Sequence, residues 1–236
     1  MEQKRENVQS PFALAAESFA AALPKRVFRI NYEFRPVELP KWRYGEITMA
    51  VLDMFEKVDA RVMPIPVFDI ANGLGYSVVP YRAYGQRIHD VLLAASKDAL
   101  TMQFWGSDKP VILYNDRMIP TRINFSIMHE IAHNELGHKE PSELAEKEAH
   151  YFAGVALCPM ALLIHYGIMD ARRIAEVFNV SDEFAKNRLR AAKNRIESGR
   201  LNLNNGIDRA FIERFSFKAS IQLDLFQDMN YGAVAQ

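Results

Sequence analysis

Apolar and polar residues alternate strictly from Phe28 through Ile30, Tyr32 and Phe34, with Arg29, Asn31, Glu33 and Arg35 between them, and this period of two predicts a half-buried strand ended by Pro36 and Pro40. Ahead of it, residues 12–23 show the spacing of an amphipathic helix. A second helix is expected over about 46–58, followed by a link bounded by Pro64 and Pro66 and a short helix stopped by Gly73 and Gly75. Residues 76–81 read as a strand, and 100–105 with 111–114 read as a hairpin across Gly106 to Pro110. Helical spacing then dominates over 124–196. Past 200 the pattern weakens, apart from a strand-like alternation at Ile221, Leu223 and Leu225 that would let the tail dock on a surface or a partner. Neither an internal repeat nor a low-complexity tract interrupts the chain, so the expected class is α+β, a small mixed β-sheet packed against helices with a helical C-terminal half.

Composition narrows the setting. With 236 residues and 49% hydrophobic content the chain can bury a substantial core, enough for one domain with appendages or two small ones. The formal net charge of zero argues against a protein that coats nucleic acid or a membrane surface as a whole. A single cysteine, Cys158, cannot form an internal disulfide and suits a reducing compartment. Glu2, Lys4, Arg5 and Glu6 are mixed in sign and Glu17 breaks the first apolar run, unlike a secretory signal. No run approaches the eighteen or more apolar residues of a membrane helix. A cytoplasmic protein with no membrane partner is expected.

One short segment carries chemistry. His129-Glu130-Ile131-Ala132-His133 places two imidazoles four residues apart, hence on one helix face, where both can reach a single metal ion. Glu130, turned by about 100° from His129, can approach a metal-bound water without coordinating the metal. With six His and seventeen Glu in the chain, chance would produce this pattern roughly 0.01 times, so coincidence is a poor explanation. Phe125, Met128, Ala132 and Leu136 lie on or beside the same face and would hold the ligands against a core. Gly137 supplies a C-terminal stop, and the chain turns through His138 to Pro141 into a second helix closed by Pro159. On that helix Glu146, Ala149, His150 and Ala153 form one stripe, small enough for close approach of two helices. Glu146 would complete a His2Glu zinc site with a fourth position open for water. Glu148 is its rival, pointing about 100° away from the side that Ala149 presents.

Phe125 to His133, followed by Glu146-Lys147-Glu148-Ala149-His150-Tyr151-Phe152-Ala153 and the closing Leu157-Cys158-Pro159, resembles the ImmA/IrrE family of metallopeptidases. Members typically carry an aromatic residue, His-Glu-x-x-His, a further His, then Glu-x-x-Ala-Asn-x-Phe-Ala and Leu-Met-Pro. Residues 65–71, 76–79 and 109–115 extend the likeness upstream. A zinc metallopeptidase domain is thus placed at about 43–200, between an N-terminal extension (1–42) and a C-terminal tail (201–236). His150 departs from the family's Asn or Asp, which bears on how a ligand imidazole is oriented and could add a ligand, and Cys158 replaces Met, a core exchange of similar softness. His138 is a candidate for a residue beside the ligands or facing the substrate, although a loop histidine is more often merely solvated; His89 and His165 fall in no motif.

The resemblance implies an endopeptidase in which His129, His133 and Glu146 hold Zn and Glu130 acts as general base. It also implies a protein substrate, in this family often a helix-turn-helix transcriptional repressor. A competing reading comes from residues 170–196. Ala171 to Phe178 and a helix opened by Ser181 look like a helix-turn-helix, and Lys186, Arg188, Arg190, Lys193 and Arg195 make its second helix basic. Plain packing is the favoured account of that segment. The alternative is a transcription regulator that contacts nucleic acid through 171–196 and keeps the metal site structural.

Overall fold

The computed structural model describes residues 38–103, 110–199 and 202–217. The helix expected at 12–23, the strand at 28–35, the turn of the hairpin with Phe104 and Trp105, and the alternation at 221–225 lie outside the described residues.

Helix α1 spans Lys41–Lys57 and buries Ile47, Val51, Met54 and Phe55 along one stripe. It begins five residues earlier than the periodicity indicates. Pro40 stands at its N-cap and Gly45 inside it has open space around it; an interior glycine costs about 1 kcal/mol relative to alanine, which the buried face outweighs. After the short strand β1 (Val62–Met63), helix α2 (Val67–Gly73) leads into β2 (Ser77–Pro80). The strand is shorter than the pattern suggests, because Tyr81 opens a 3-10 turn that runs to Tyr84. Helix α3 (Gly85–Ala95) then covers one face of the sheet. Periodicity did not single it out, and only His89 and Leu92 along it are deeply buried.

Strands β3 (Ala99–Met102) and β4 (Val111–Tyr114) form the expected antiparallel pair, and β2 joins the other side of β4 in parallel, giving the order β2-β4-β3. Side chains alternate across such a sheet. Ile112 therefore enters the main core, while Leu113 faces a smaller cluster with Tyr81, Leu92 and Met102 beneath α3. Thr101 pairs with Ile112 and shares its face.

The rest is helical, as an α+β chain with a helical C-terminal half requires: α4 (Pro120–Glu135), α5 (Glu143–Leu157), α6 (Met160–His165), α7 (Ala171–Phe178), α8 (Asp182–Glu197) and α9 (Gly206–Arg214). Ala149 and Ala153 are fully buried, so α5 lies close along α4. The described part of the region beyond 200 packs into the main core. Phe211 and Phe215 meet Phe55 edge-on at 6.5 and 4.9 Å, and β5 (Ser216–Phe217) pairs in parallel with β1.

Candidate metal centre

The last turn of α4 sets the site. Its end is a Schellman motif: Gly137 takes φ +69°, its N–H donates to Asn134 O at 3.0 Å, and the His138 N–H donates back to His133 O at 2.9 Å. The left-handed step suits glycine and folds His138 over the helix end. Helix α5 starts from Ser142, whose hydroxyl accepts from the Ala145 N–H at 3.0 Å, and Glu146 follows in its first turn.

Three donor atoms converge between these helices. His129 Nε2 lies 3.1 Å from Glu146 Oε2, His133 Nε2 lies 3.4 Å from Glu146 Oε1, and the two Nε2 atoms are 3.0 Å apart. Four ligands at about 2.0–2.1 Å around a tetrahedral zinc ion stand roughly 3.3 Å from one another, so the residues present fit such an ion. Two neutral imidazoles and a carboxylate are also the right donor chemistry for it. The three side chains are half-buried, leaving the cluster open on one side. Burial would push the Glu146 carboxyl up, but its contacts with the His129 and then the His133 ring outweigh it and hold the group well below the ordinary carboxylate range.

Glu130 is not part of this triangle. Thr101, on β3, donates its hydroxyl to Glu130 Oε2 at 2.8 Å, and Asn134 Nδ2 donates to Glu130 O at 2.8 Å. Glu148 is directed elsewhere. It is buried and accepts from Arg43 Nε on one oxygen and Arg43 Nη2 on the other, both at 2.7 Å, while its Oε2 is 2.9 Å from His138 Nε2. The Arg43 hydrogen bonds, opposed by burial and helped by His138, lower its pKa. His138 in turn reaches His133, Nδ1 to Nδ1, at 3.0 Å. His150 stays outside the donor cluster: its ring lies 4.9 Å from Phe125 and 6.5 Å from His129. His129 Nδ1 is buried without a hydrogen-bond partner among the described residues.

Sequence reasoning missed Arg43 and Thr101. Both come from far along the chain, on α1 and β3, and neither belongs to a local pattern; no spacing rule relates Arg43 to Glu148 across 105 residues. His165 stacks edge-on with Tyr166, and His89 is buried beside Tyr81. Cys158 is fully buried, and burial pushes its thiol up to about 11, so it is a core atom rather than a nucleophile.

The helix-turn-helix shape is present, with Ser181 capping α8 through the Phe184 N–H and Asn179 in the left-handed conformation at the end of α7. Its basic residues are divided. Arg188 donates to Cys158 O and Arg195 pairs with buried Asp208, leaving Lys186, Arg190 and Lys193 exposed.

A His2Glu cluster on two abutting helices has the donor set of a metal site. Residues 86–190 match the family model described as the IrrE N-terminal-like domain, Peptidase_M78, a metallopeptidase family. The match runs from α3 into α8 and leaves α1 outside it. No curated protein matches the chain. No helix among the described residues is long and apolar enough to cross a membrane.

Proposed function

We propose that the chain is a zinc-dependent endopeptidase in which His129, His133 and Glu146 hold the metal and Glu130 moves the proton. The observation that carries this reading is the triangle of His129 Nε2, His133 Nε2 and a Glu146 oxygen with edges of 3.0–3.4 Å. Bound zinc supplies a Lewis acid that polarises the scissile carbonyl and lowers the pKa of water toward about 7. Thr101 engages Oε2 of Glu130, so Oε1 takes the proton of the attacking water. As the C–N bond of the substrate breaks, Glu130 returns that proton to the departing amine, and the water oxygen stays on the new carboxyl group.

The substrate proposed is an extended segment of another protein. Strand β3 has no further strand beside it among the described residues and carries Thr101 toward Glu130, so a substrate strand laid on this edge would run past the proton-moving carboxylate. The repressor substrate implied by the family resemblance is the first candidate, and a cytoplasmic setting agrees with the single buried cysteine. The test is incubation of zinc-loaded wild type and Glu130→Gln with candidate helix-turn-helix repressors, reading cleavage and zinc content together. Cleavage by wild type alone, at equal zinc content, is the expected result; equal cleavage by both removes Glu130 from the reaction.

A further inference from the structure

Around the two ligand histidines the outer contacts are unequal. His129 Nδ1 has no partner among the described residues, whereas His133 Nδ1 begins a continuous chain: His133 to His138 at 3.0 Å, His138 to Glu148 at 2.9 Å, and Glu148 to Arg43 through two bonds of 2.7 Å. The direction of the protons along it follows from the end. A guanidinium only donates, so Glu148, bridged on both oxygens, is an acceptor. His138 Nε2 must then carry a hydrogen for Glu148, which leaves Nδ1 of the neutral ring as an acceptor. His133 Nδ1 must therefore be the donor to it, and its Nε2 is left with a bare lone pair pointing at His129 and Glu146.

We propose that Arg43, Glu148 and His138 act as a chain of positioning residues that fixes His133 with its proton on Nδ1 and its Nε2 lone pair toward the metal, so that α1 completes the metal site from outside the stretch that matches the family model. The inference rests on the zinc reading above. Two features of the fold make the chain rigid. The Schellman turn at Gly137 holds His138 over His133 through a backbone hydrogen bond of 2.9 Å. Helix α1 is fastened to α5 independently of Arg43, by Tyr44 against Tyr151 at 4.8 Å, and its Val51, Met54 and Phe55 are buried in the main core. Helix α1 thus brings a bidentate arginine to a carboxylate whose helix also carries the ligand Glu146. A ligand imidazole held in one tautomer binds metal without first losing ring freedom or moving its proton.

The experiment uses the full chain and zinc alone. Zinc dissociation constants are measured by chelator competition for wild type, His138→Ala, Arg43→Ala, Arg43→Lys and Glu46→Gln, with folding checked by circular dichroism. Loss of an outer partner typically weakens metal affinity 10–100-fold, and this is the loss expected for His138→Ala and Arg43→Ala. Arg43→Lys should fall between, because one ammonium does not reproduce the fork. Glu46, whose side-chain hydrogen-bond partner among the described residues is Arg43 Nη1 alone, should be dispensable. The second readout is exchange of the His133 Nδ1 proton, followed by nitrogen-resolved NMR of the zinc-loaded protein: slow in wild type and fast in His138→Ala. If Arg43→Ala does not fold, His138→Ala, in a loop, carries the test. A folded His138→Ala with wild-type affinity and a slowly exchanging proton would overturn the chain while leaving the zinc reading intact. Wild type that binds no zinc would overturn both.

Discussion

Helix pairs α4–α5 and α7–α8 are assembled from the same local devices and end in opposite arrangements. In each, a capping serine opens the second helix, at Ser142 and Ser181, and each carries polar residues that a motif reading would credit with function. Across α4–α5 those residues meet one another: His129, His133 and Glu146 converge within 4.8 Å. Across α7–α8 they scatter, with Arg188 and Arg195 bound to protein partners and Lys186, Arg190 and Lys193 spread over exposed surface. Residue type in a motif sets what chemistry is available. Convergence decides whether it is assembled, and that depends on what packs against the helix.

The comparison breaks most readily at the metal. Wild type should hold a single equivalent of zinc by elemental analysis, and His129→Ala or His133→Ala should abolish it, and cleavage with it. Glu146→Gln should weaken zinc binding more than Glu148→Gln, because Glu146 lies in the donor triangle and Glu148 is engaged by Arg43 and His138. The opposite ranking would reassign the third ligand. Next in size is Glu130→Gln. Removing a positioned general base lowers rates about 10²–10⁴-fold, so kcat should fall by that factor while zinc content and melting temperature stay near wild type.

Stability gives a third test, with a definite sign in pH. Hydrogen bonds from Arg43 lower the folded-state pKa of Glu148, so the stabilisation is present above the unfolded carboxylate value of about 4.3 and is lost as pH falls through the folded value. Arg43→Ala leaves a buried carboxylate without its main partner. With a quarter of the guanidinium exposed to screening solvent, about 2 kcal/mol is expected at neutral pH. The gap between wild type and variant in urea unfolding should narrow below about pH 4. A gap that widens in acid would contradict the pairing. The same logic applied to α8 predicts a loss of about 1–3 kcal/mol for Arg195→Ala, which strands the buried Asp208.

What the chain announces in its own order of residues is whatever depends on near neighbours. The periodicity of α4 and α5, the stop at Gly137, the cap at Ser142, the β3–β4 pair and the His-Glu-x-x-His spacing are all of this kind, and each appears in the fold. Pairings between distant segments were not legible. Nothing near Val62 announces that β1 will pair with β5 across more than 150 residues, nor that Phe211 and Phe215 will close the core against Phe55. Helix α3 escaped notice because a helix lying over a small sheet needs few buried positions, here His89 and Leu92. At the site the division is the same: the ligand candidates lie within 18 residues of one another, while Thr101 and Arg43 arrive through the sheet and through α1.

The smallest effect is expected in the helix-turn-helix-like segment, where plain packing is the favoured account. If α8 served to read DNA, its exposed Lys186, Arg190 and Lys193 would be the residues to neutralise phosphates, and removing each cation would lessen the dependence of binding on salt. If α8 is a packing element, these three side chains reach only water, and replacing all three with alanine should change stability by less than about 0.5 kcal/mol per site. Zinc content and proteolysis should be unchanged, since none of the three touches α4 or α5 through a hydrogen bond or ion pair among the described residues. The measurement is a melting curve and a cleavage assay on the triple variant, paired with a gel shift of wild type on short duplexes at two salt concentrations. Wild type should give no sequence-selective shift. A salt-sensitive, nanomolar complex that fails to form with the triple variant would make α7–α8 a second functional pair, and the contrast with α4–α5 would then be between two working sites.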